Sequence, residues 1–355
     1  MRIAVLLPSL NKKGPVILAF DLIKHLIDKV DKLDVFYFSE SSTPYPLQGL
    51  ENVNFIKISF YKPLSFSGYD VIHAHSLRPD LYTYFFKSKI KPYVVTTIHN
   101  YVYEELYYTY NIFISKIFSK IWMFSWKKKD AVIFLSKDMQ QYYEKKFFFN
   151  ERTKIIYNGR DINLDQNSIQ NIFLYNYIIE TKKKFKLIGC CGFINKRKGL
   201  EDIIKFLTLN DNIFAVFIGQ GPDENRLITL AKNLNVFNRC IFLGHQINPI
   251  PFINLLDIYV MSSYSEGFPL VVLEAGVLGI PILCVNSPLF RELFSDDDLV
   301  FYNRDNLKNM SYSLNKILIN KSFYSKNIKS KINSQYSCDI MAFSYLQLFN
   351  ELKHK

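Results

Sequence analysis

Short runs of aliphatic and β-branched residues alternate with longer amphipathic segments along most of the chain. The first run, residues 3–7, is followed by a polar loop and by an amphipathic segment over residues 16–29. Short apolar runs bounded by turn residues predict buried strands, and the longer segments predict helices. The alternation recurs in both halves, which predicts two doubly wound α/β domains with parallel sheets.

The alternation is interrupted once, between residues 165 and 184, by a polar and irregular stretch rich in Asn, Gln and Lys. Such a stretch is typical of a linker, and 355 residues suffice for two α/β domains. We therefore expect an N-terminal domain over residues 1–165, a linker over 166–184 and a C-terminal domain over 185–336. Residues 337–355 are amphipathic and are expected to form a final helix.

Composition limits the classes of partner and the cellular setting. The formal net charge of +12 favours acidic partners, such as phosphorylated ligands, anionic lipid or nucleic acid, without choosing among them. Five scattered cysteines without a C-x-x-C pair suggest a reducing, cytoplasmic setting. No segment approaches the roughly 20 apolar residues that span a bilayer, so we expect any membrane contact to be peripheral.

Two glutamates bracket an uncharged segment in the second half of the chain. Glu266 lies in a polar loop, and Glu274 lies in an apolar helix predicted to start near Pro269. A carboxylate on an apolar helix is costly unless it is paired or hydrogen-bonded, so Glu274 can be a structural residue. Alternatively, both carboxylates hold hydroxyl groups of a ligand whose phosphates lie at the helix N-terminus.

A second candidate phosphate site follows the strand predicted over residues 185–191. The loop after this strand is basic, and a helix is predicted to begin at Leu200. Lys198 would supply a point charge and the helix start would supply N–H groups. The alternative is a solvated basic turn. In the first half, Gly14 lies between a strand and a helix, which is a weaker sign of a phosphate site.

Histidines occur at the ends of two predicted strands in the first half. His73 and His75 can be structural residues that meet local backbone groups, and no third metal ligand is evident. His99 follows the strand predicted over residues 93–98. Ligands of open α/β sheets bind at the carboxyl ends of the strands, which favours a functional role for His99.

Residues 101–126 are dense in aromatic side chains, with Lys116 and Lys120 interleaved. A basic, aromatic helix of this kind can lie on an anionic membrane surface. The alternative is an ordinary core helix with a solvated lysine edge.

The segment SYSEGFPLVVLEAGVLGIPIL resembles the E-x7-E element of retaining glycosyltransferases with the GT-B fold, in the group called family 4 or glycosyl transferases group 1. Lys198-Gly199 is similar to the K-G element of this family, and residues 70–75 and 97–99 are similar to its D-V-I-H-x-H and T-x-H elements. The resemblance covers nearly the whole chain. It implies two Rossmann-like doubly wound domains facing a central cleft, with the helix over 337–355 returning to the N-terminal domain.

The resemblance also implies roles for individual residues. The implied catalytic residues are Glu266, His99 and Lys198. The implied donor-binding residues are Gly14, Gly192, Lys198, Arg197, Leu243, His245, Glu266, Gly267, Phe268, Pro269, Leu270 and Glu274. The implied acceptor-side residues are His75, Arg78 and Asn100. One departure is Phe193, which stands where many members carry an arginine, so either Arg197 or Lys196 compensates or diphosphate binding rests mainly on Lys198.

The activity implied by the resemblance is a retaining, metal-independent glycosyl transfer without a cofactor. A hexose or N-acetylhexosamine would move from a sugar nucleotide, expected to be a UDP-sugar, to a glycan or lipid-linked acceptor in cell-surface polysaccharide or lipopolysaccharide biosynthesis. We expect the enzyme at the inner face of the membrane, in peripheral contact with anionic lipid. Alternatives are a sugar-nucleotide epimerase of the same architecture, a non-catalytic sugar-nucleotide binder and a nucleic-acid binder. The chain has no recognisable nucleic-acid motif, so we expect no nucleic-acid partner.

Overall fold

The computed structural model describes residues 1–40, 50–147, 149, 152–162, 169 and 171–354. The chain divides into two compact units. The first comprises Met1–Arg160 and Tyr336–Lys355, and the second comprises Asp161–Gln335. Each unit has a central parallel sheet with helices packed on it. The two Rossmann-like α/β domains predicted from the alternation are therefore confirmed.

The sheet of the first unit is parallel throughout and has the strand order β3-β2-β1-β4-β5-β6-β7. Its strands are β1 (Arg2–Ser9), β2 (Lys32–Ser39), β3 (Asn54–Lys57), β4 (Val71–His75), β5 (Tyr93–Ile98), β6 (Ala131–Phe134) and β7 (Thr153–Ile155). Its helices are α1 (Gly14–Leu26), α2 (Leu77–Phe85), α3 (Val102–Thr109), α4 (Ile112–Ser125), α5 (Lys137–Glu144) and, at the end of the chain, α14 (Cys338–Lys353).

The second unit also has a parallel sheet, with the strand order β10-β9-β8-β11-β12-β13. Its strands are β8 (Lys186–Cys191), β9 (Ile213–Ile218), β10 (Cys240–Phe242), β11 (Ile258–Met261), β12 (Ile282–Val285) and β13 (Val300–Tyr302). Its helices are α6 (Ile172–Lys182), α7 (Glu201–Leu207), α8 (Glu224–Asn233), α9 (Ile250–Asn254), α10 (Leu270–Val277), α11 (Pro288–Leu293), α12 (Leu307–Ile319) and α13 (Lys321–Gln335).

The strand order reverses once in each sheet, between β1 and β4 in the first unit and between β8 and β11 in the second. Ligands of open α/β sheets bind in the crevice that such a reversal leaves outside the carboxyl ends of the strands. In the second unit, the loop over residues 192–200 follows β8 and the loop over 262–269 follows β11. The loop that carries Lys198 and the loop that carries Glu266 thus each follow one of the two strands that flank the reversal.

The core of the first unit includes the last helix of the chain. Met341, Tyr345 and Phe349 of α14 are buried in the same cluster as side chains of β1 and α1. The strands β1 and β4 are buried over most of their length, as expected for a parallel sheet covered on both faces. Across the described ranges, no helix is long and apolar enough to cross a bilayer.

The segment predicted to be an irregular linker, residues 166–184, contains a helix. The predicted domain boundary at residue 165 and the first residues of the linker lie outside the described residues. Beyond them, Asn171 caps α6 by accepting a hydrogen bond from the Leu174 amide at 3.0 Å. Ile178 of this helix is buried. The expectation of irregular chain here was wrong, because the polar residues concealed a helix whose buried positions are few, namely Ile178 and Thr181.

Candidate functional site

Two loops meet at the carboxyl ends of β8 and β11 and are joined by two hydrogen bonds, one from a side chain and one from the main chain. The Ser262 hydroxyl donates to the Lys198 carbonyl at 2.9 Å, and the Tyr264 amide donates to the Arg197 carbonyl at 2.8 Å. Gly199 lies between them with a φ of +59°, and a Cβ there would lie 2.4 Å from the Ser262 carbonyl oxygen. Residue 199 has to be glycine, because its φ is positive and because a side chain would have no space there.

This junction places two cations on one carboxylate. Lys198 Nζ lies 2.7 Å from Glu266 Oε1, and Arg197 Nη1 lies 3.0 Å from Glu266 Oε2. The Arg197 guanidinium also donates to the Ser265 carbonyl. The Glu266 side chain is only 9% exposed. Burial alone would raise the pKa of Glu266, but the Arg197 and Lys198 charges outweigh it and lower the pKa to about 2.

The cluster can serve an anion and hydroxyl groups at the same time. A lysine ammonium has three N–H donors and a guanidinium has five, so Lys198 and Arg197 have more donors than Glu266 alone requires. The ionised Glu266 carboxylate accepts hydrogen bonds only. Gly192 has a φ of +142°, and a Cβ there would lie 3.5 Å from Lys198 Cε. Gly192, Lys198 and Ser263 line a small cavity beside the cluster.

Glu274 is buried within α10, the helix that follows the Glu266 loop. Burial raises the pKa of the Cys191 thiol and of the Tyr259 hydroxyl well above their usual ranges, and the nearby Glu274 carboxylate adds to both shifts. Glu274 therefore lies near the carboxyl end of β8. Gly267, Phe268 and Pro269 are buried, Leu270 begins the helix, and Pro269 at the N-cap makes no side-chain capping bond.

Leu243 and His245, the predicted nucleotide-base contacts, follow β10 at the same edge of the sheet. Leu243 is buried and its amide donates to the Phe217 carbonyl at 2.9 Å, whereas His245 is exposed. Between them, the Gly244 carbonyl accepts a hydrogen bond from the Gly219 amide at 2.9 Å. This bond holds the Leu243–His245 turn against the end of β9.

In the first unit, a pair of imidazoles lies at the ends of β4 and β5. His75 Nδ1 lies 2.9 Å from His99 Nε2, and the rings are stacked with centroids 5.2 Å apart. Burial lowers the pKa of His99 to about 3 and that of His75 well below its usual range, so both rings are neutral at pH 7. His75 Nε2 and His99 Nδ1 are buried and have no hydrogen-bond partner among the described residues. Because the shared bond has one donor, one of these two nitrogens carries a proton and the other a lone pair.

The remaining predicted residues of the first unit are not drawn into one cluster. Gly14 starts α1, and a Cβ there would meet no atom within 4 Å. Arg78 is exposed in the first turn of α2 and donates to the Ser39 hydroxyl. The Asn100 carbonyl accepts a hydrogen bond from the Tyr143 hydroxyl at 2.8 Å. Of the predicted residues in this unit, only His75 and His99 are brought into contact.

Two features of these sites were not predicted from the sequence. Arg304 donates to the Ser262 carbonyl, lies 3.0 Å from Asp202 Oδ2 and stacks on the Tyr264 ring at 3.7 Å. These contacts hold the loop that carries Glu266. In the sequence, the sign of this role was that Arg304 lies two residues after an apolar strand. His73 bonds the Thr97 hydroxyl at 2.8 Å, which in turn bonds Tyr345 at 2.8 Å. Tyr345 lies on α14, so these hydrogen bonds form only because α14 returns to the first unit.

Known proteins similar to this chain are glycosyltransferases. Residues 14–164 match the model of Glycosyltransferase Family 4, and residues 177–334 match that of Glycosyl transferases group 1. The O-antigen biosynthesis glycosyltransferase WclY of Escherichia coli is 32% identical, over 99% of both chains. The N-acetylgalactosamine-N,N'-diacetylbacillosaminyl-diphospho-undecaprenol 4-alpha-N-acetylgalactosaminyltransferase of Campylobacter jejuni is 25% identical, over 89% of this chain and 85% of that one.

Solved structures show the same fold at low sequence identity. Anabaena Alr3699/HepE in complex with UDP and glucose matches with a TM-score of 0.82 and 17% identity, over 99% of this chain and all of that one. WaaG, a glycosyltransferase involved in lipopolysaccharide biosynthesis, matches with a TM-score of 0.71 and 14% identity, over 98% and 99% of the two chains. Two Rossmann-like parallel-sheet units of this kind define the GT-B class. The chain belongs to the glycosyltransferase family of GT-B fold, family 4 or glycosyl transferases group 1, as its E-x7-E segment predicted.

Proposed function

We propose that this glycosyltransferase is a retaining, metal-independent enzyme of O-antigen or lipopolysaccharide biosynthesis. It transfers a hexose or N-acetylhexosamine from a UDP-sugar to a glycan carried on a lipid. The pathway is supported by the full-length similarity to the O-antigen glycosyltransferase WclY. A UDP-linked donor and a lipid-linked acceptor are supported by a second relative, named UDP-Gal:alpha-D-GlcNAc-diphosphoundecaprenol alpha-1,3-galactosyltransferase, which is 26% identical over 251 residues.

The observation that carries the donor-site proposal is the cluster of Lys198, Arg197 and Glu266 at the strand reversal. In the proposal, the diphosphate binds to the N–H donors of Lys198 and Arg197 and to amides at the start of α10. Glu266 and Glu274 then accept hydrogen bonds from sugar and ribose hydroxyls. Positive groups fixed in a partly dehydrated site stabilise the charge that develops on a departing diphosphate, which is the task a metal ion performs in other enzymes.

In the proposed reaction, the bond between the anomeric carbon and the diphosphate oxygen breaks as the acceptor hydroxyl approaches from the same face. The departing phosphate oxygen takes the hydroxyl proton, and the sugar passes through an oxocarbenium-like state. Glu266 is held ionised by its two cations and positions the sugar; it forms no covalent bond in this scheme. His99, neutral at pH 7, is proposed to supply a hydrogen-bonding nitrogen to the donor sugar.

A lipid-linked acceptor also implies that the reaction takes place at a membrane. We propose that the enzyme works on the cytoplasmic face of the membrane, in peripheral contact with anionic lipid. The first unit supplies the acceptor side, with His75, Arg78 and Asn100 as proposed contacts.

The proposal is tested by donor binding in matched lysine variants. Thermal shifts are measured with UDP-, GDP- and ADP-sugars, with and without EDTA, on the parent protein and on Lys198→Ala, Glu274→Gln and Lys196→Ala. Lys196 is exposed and two residues from Lys198, so Lys196→Ala is the matched control. We expect a shift with UDP-sugars that survives EDTA, persists in Lys196→Ala and is lost in the other two variants.

Other outcomes are equally informative. A shift abolished by EDTA would overturn metal independence, and a shift as large in Lys198→Ala as in the parent would overturn the donor site. Incubation of UDP-sugars without acceptor, followed by proton NMR, separates transfer from epimerisation, since only an epimerase converts the donor by itself. With a lipid-linked acceptor, the anomeric coupling constant of the product decides between retention and inversion.

A further inference from the structure

The helix α4 is inverted relative to an ordinary surface helix. Its fully buried residues are serines, namely Ser115, Ser119 and Ser125. Six of its apolar residues are exposed, with Phe113 76% exposed and Ile117 56% exposed, while Ile114, Trp122 and Met123 are half-buried. A surface helix of a globular protein normally turns its apolar stripe to the core and its polar residues to water. The exposed apolar stripe of α4 therefore predicts contact with an apolar partner or environment outside the protein.

The exposed stripe is continuous along the helix. Phe113, Ile117, Ile121 and Phe124 follow one another at steps of four, four and three residues, which places them on one face, and all four are exposed. With a rise of about 1.5 Å per residue, the stripe from Phe113 to Phe124 extends over about 17 Å. Contiguous exposed apolar surfaces of this kind mark sites of contact with a protein or a membrane.

The inner face of α4 is held by a buried polar network in addition to the apolar contacts of Trp122, Met123 and Trp126. Trp122 and Trp126 both donate their indole N–H to Asp80 Oδ2, at 2.7 Å and 3.0 Å. Asp80 is fully buried, and Lys129 Nζ lies 3.9 Å from its other oxygen. Removing either partner of such a network leaves a buried polar group unpaired, which is costly. The outward orientation of the phenylalanines is thus fixed by the fold.

The charges around the stripe indicate which kind of partner binds it. Between Asn111 and Lys129 the sequence has no acidic residue, while four exposed lysines, 116, 120, 127 and 128, surround the stripe. Lys127 lies over the Phe124 ring at 4.6 Å, so the charge and the apolar surface are adjacent. A helix with an apolar face flanked by lysines binds an anionic bilayer in its interface plane. A second copy of this chain would instead oppose lysine to lysine.

We propose that the exposed face of α4 is the surface by which this enzyme docks on an anionic lipid bilayer. Phe113, Ile117, Ile121 and Phe124 enter the boundary between headgroups and acyl chains, and Lys116 and Lys120 bind lipid phosphates. This inference deepens the proposed function, because it names the surface that brings the enzyme to a lipid-linked acceptor. It is tested without donor or acceptor, so its outcome is independent of the donor-site experiment.

Quenching is measured in a Phe113→Trp variant, which carries a tryptophan on the exposed stripe, because the native Trp122 and Trp126 point inward to the buried Asp80. The full-length protein is mixed with vesicles of phosphatidylcholine alone or with phosphatidylglycerol added, and bound protein is measured by sedimentation. Acyl chains brominated near the headgroup quench tryptophans that lie close to the bilayer. We expect binding to the phosphatidylglycerol vesicles, weaker binding at high salt, and quenching by the brominated chains.

Matched variants locate the surface. Phe113→Ser with Ile117→Ser removes part of the stripe, and Phe343→Ser with Ile319→Ser removes the same residue types from exposed positions of α14 and α12. We expect at least a tenfold loss of vesicle binding in the first pair and parental binding in the second. Lys116→Gln with Lys120→Gln is expected to lower binding at low salt by about 30-fold, since each of the two lysines near an anionic surface contributes about 1 kcal/mol and about 1.4 kcal/mol is tenfold.

Three results would overturn the proposal. The first is equal loss of binding in both serine pairs, and the second is vesicle binding without tryptophan quenching. The third is a dimer of the parent protein, measured by analytical ultracentrifugation, that is lost in Phe113→Ser with Ile117→Ser; it would assign the stripe to a second copy of the chain. Thermal unfolding of the same variants, measured without ligand, shows that each remains folded.

Discussion

At the scale of single residues, Glu266 shows how a nearly buried carboxylate is kept ionised in a folded protein. Its carboxylate is nearly buried and is held ionised by Lys198 and Arg197, which are themselves only slightly exposed. A buried ion group of this kind contributes little net stability when complete, but removal of one member is expensive. In the proposed donor site, this arrangement keeps the carboxylate ionised and able to accept hydrogen bonds from hydroxyl groups.

We predict that Glu266→Gln lowers both stability and activity. The substitution leaves two partly buried cations without their anion, so we expect the free energy of unfolding in urea to fall by about 1–3 kcal/mol. We expect the transfer rate to fall by about 100-fold or more, the range found when a fixed electrostatic group is removed. Glu180→Gln, which breaks an exposed pair with Lys183, is the control and should change neither quantity. Parental activity in Glu266→Gln would refute the role of this carboxylate.

The buried imidazoles of the first unit predict a dependence of stability on pH. Burial lowers the pKa of His73 to about 3, against 6.5 for a free side chain, and that of His75 well below its usual range. Below pH 6.5 the unfolded chain takes up protons on these rings and the folded chain does not. The free energy of unfolding therefore falls as pH falls from 6.5 toward 3, by up to about 1.4 kcal/mol per pH unit for each ring.

Urea unfolding at several pH values between 6.5 and 4.5 measures this slope. The Glu266 contribution is separate, because its pKa is lowered from 4.5 to about 2 and its stabilisation is lost only below 4.5. In His73→Asn, one buried ring is removed and the slope should decrease. An unchanged slope in that variant would show that His73 does not remain neutral in the folded protein.

At the scale of elements, the loops after β8 and β9 depend on glycines with no room for a side chain. A Cβ at Gly219 would lie 1.9 Å from the Gly192 carbonyl oxygen, and φ at Gly219 is +131°. Both the conformation and the contact exclude an L side chain unless the Gly192 loop moves. Because that loop leads into Lys198, backbone strain here is coupled to the proposed donor site.

We predict that Gly219→Ala lowers the free energy of unfolding by about 1–3 kcal/mol and weakens UDP-sugar binding. Gly68→Ala is the control, since a Cβ there meets no atom within 4 Å. Thermal unfolding and isothermal titration with a UDP-sugar measure the two effects. Equal stability of the two variants would contradict the prediction.

The same comparison tests the role of Gly14. A Cβ at Gly14 also meets no atom within 4 Å, so Gly14→Ala should leave stability unchanged. If the Gly14 backbone approaches a phosphate, the added methyl group should still weaken binding of the UDP-sugar. Unchanged binding would remove Gly14 from the proposed donor site.

At the scale of the whole molecule, the chain crosses from the first unit to the second and returns once. The last helix, α14, completes the core of the first unit, where Phe349 is fully buried. The stability of the first unit therefore depends on residues that are synthesised after the whole of the second unit. A change in α14 should act on one core and leave the other intact.

We predict that Phe349→Ala destabilises the first unit by about 3–5 kcal/mol, the usual range for loss of a buried phenylalanine. Amide hydrogen exchange should become faster in β1 and α1 and stay unchanged in β8 and β9. Phe343→Ala, at an exposed position of the same helix, is the control and should leave exchange unchanged in both units. Faster exchange in β8 and β9 of Phe349→Ala would show that the two cores do not unfold separately.

The sequence by itself determined the two α/β sheets and the glycosyltransferase family, because strand–helix alternation and short motifs are local properties of the chain. It also indicated Lys198 and Glu266, but not that they touch, since 68 residues separate them and the strand order alone makes β8 and β11 neighbours. Helix α6 was missed because its buried positions are few, and the pairing of His75 with His99 required β4 and β5 to lie side by side. Whether the phenylalanines of α4 face inward or outward was likewise decided by tertiary structure, through the buried carboxylate of Asp80 that binds both tryptophans.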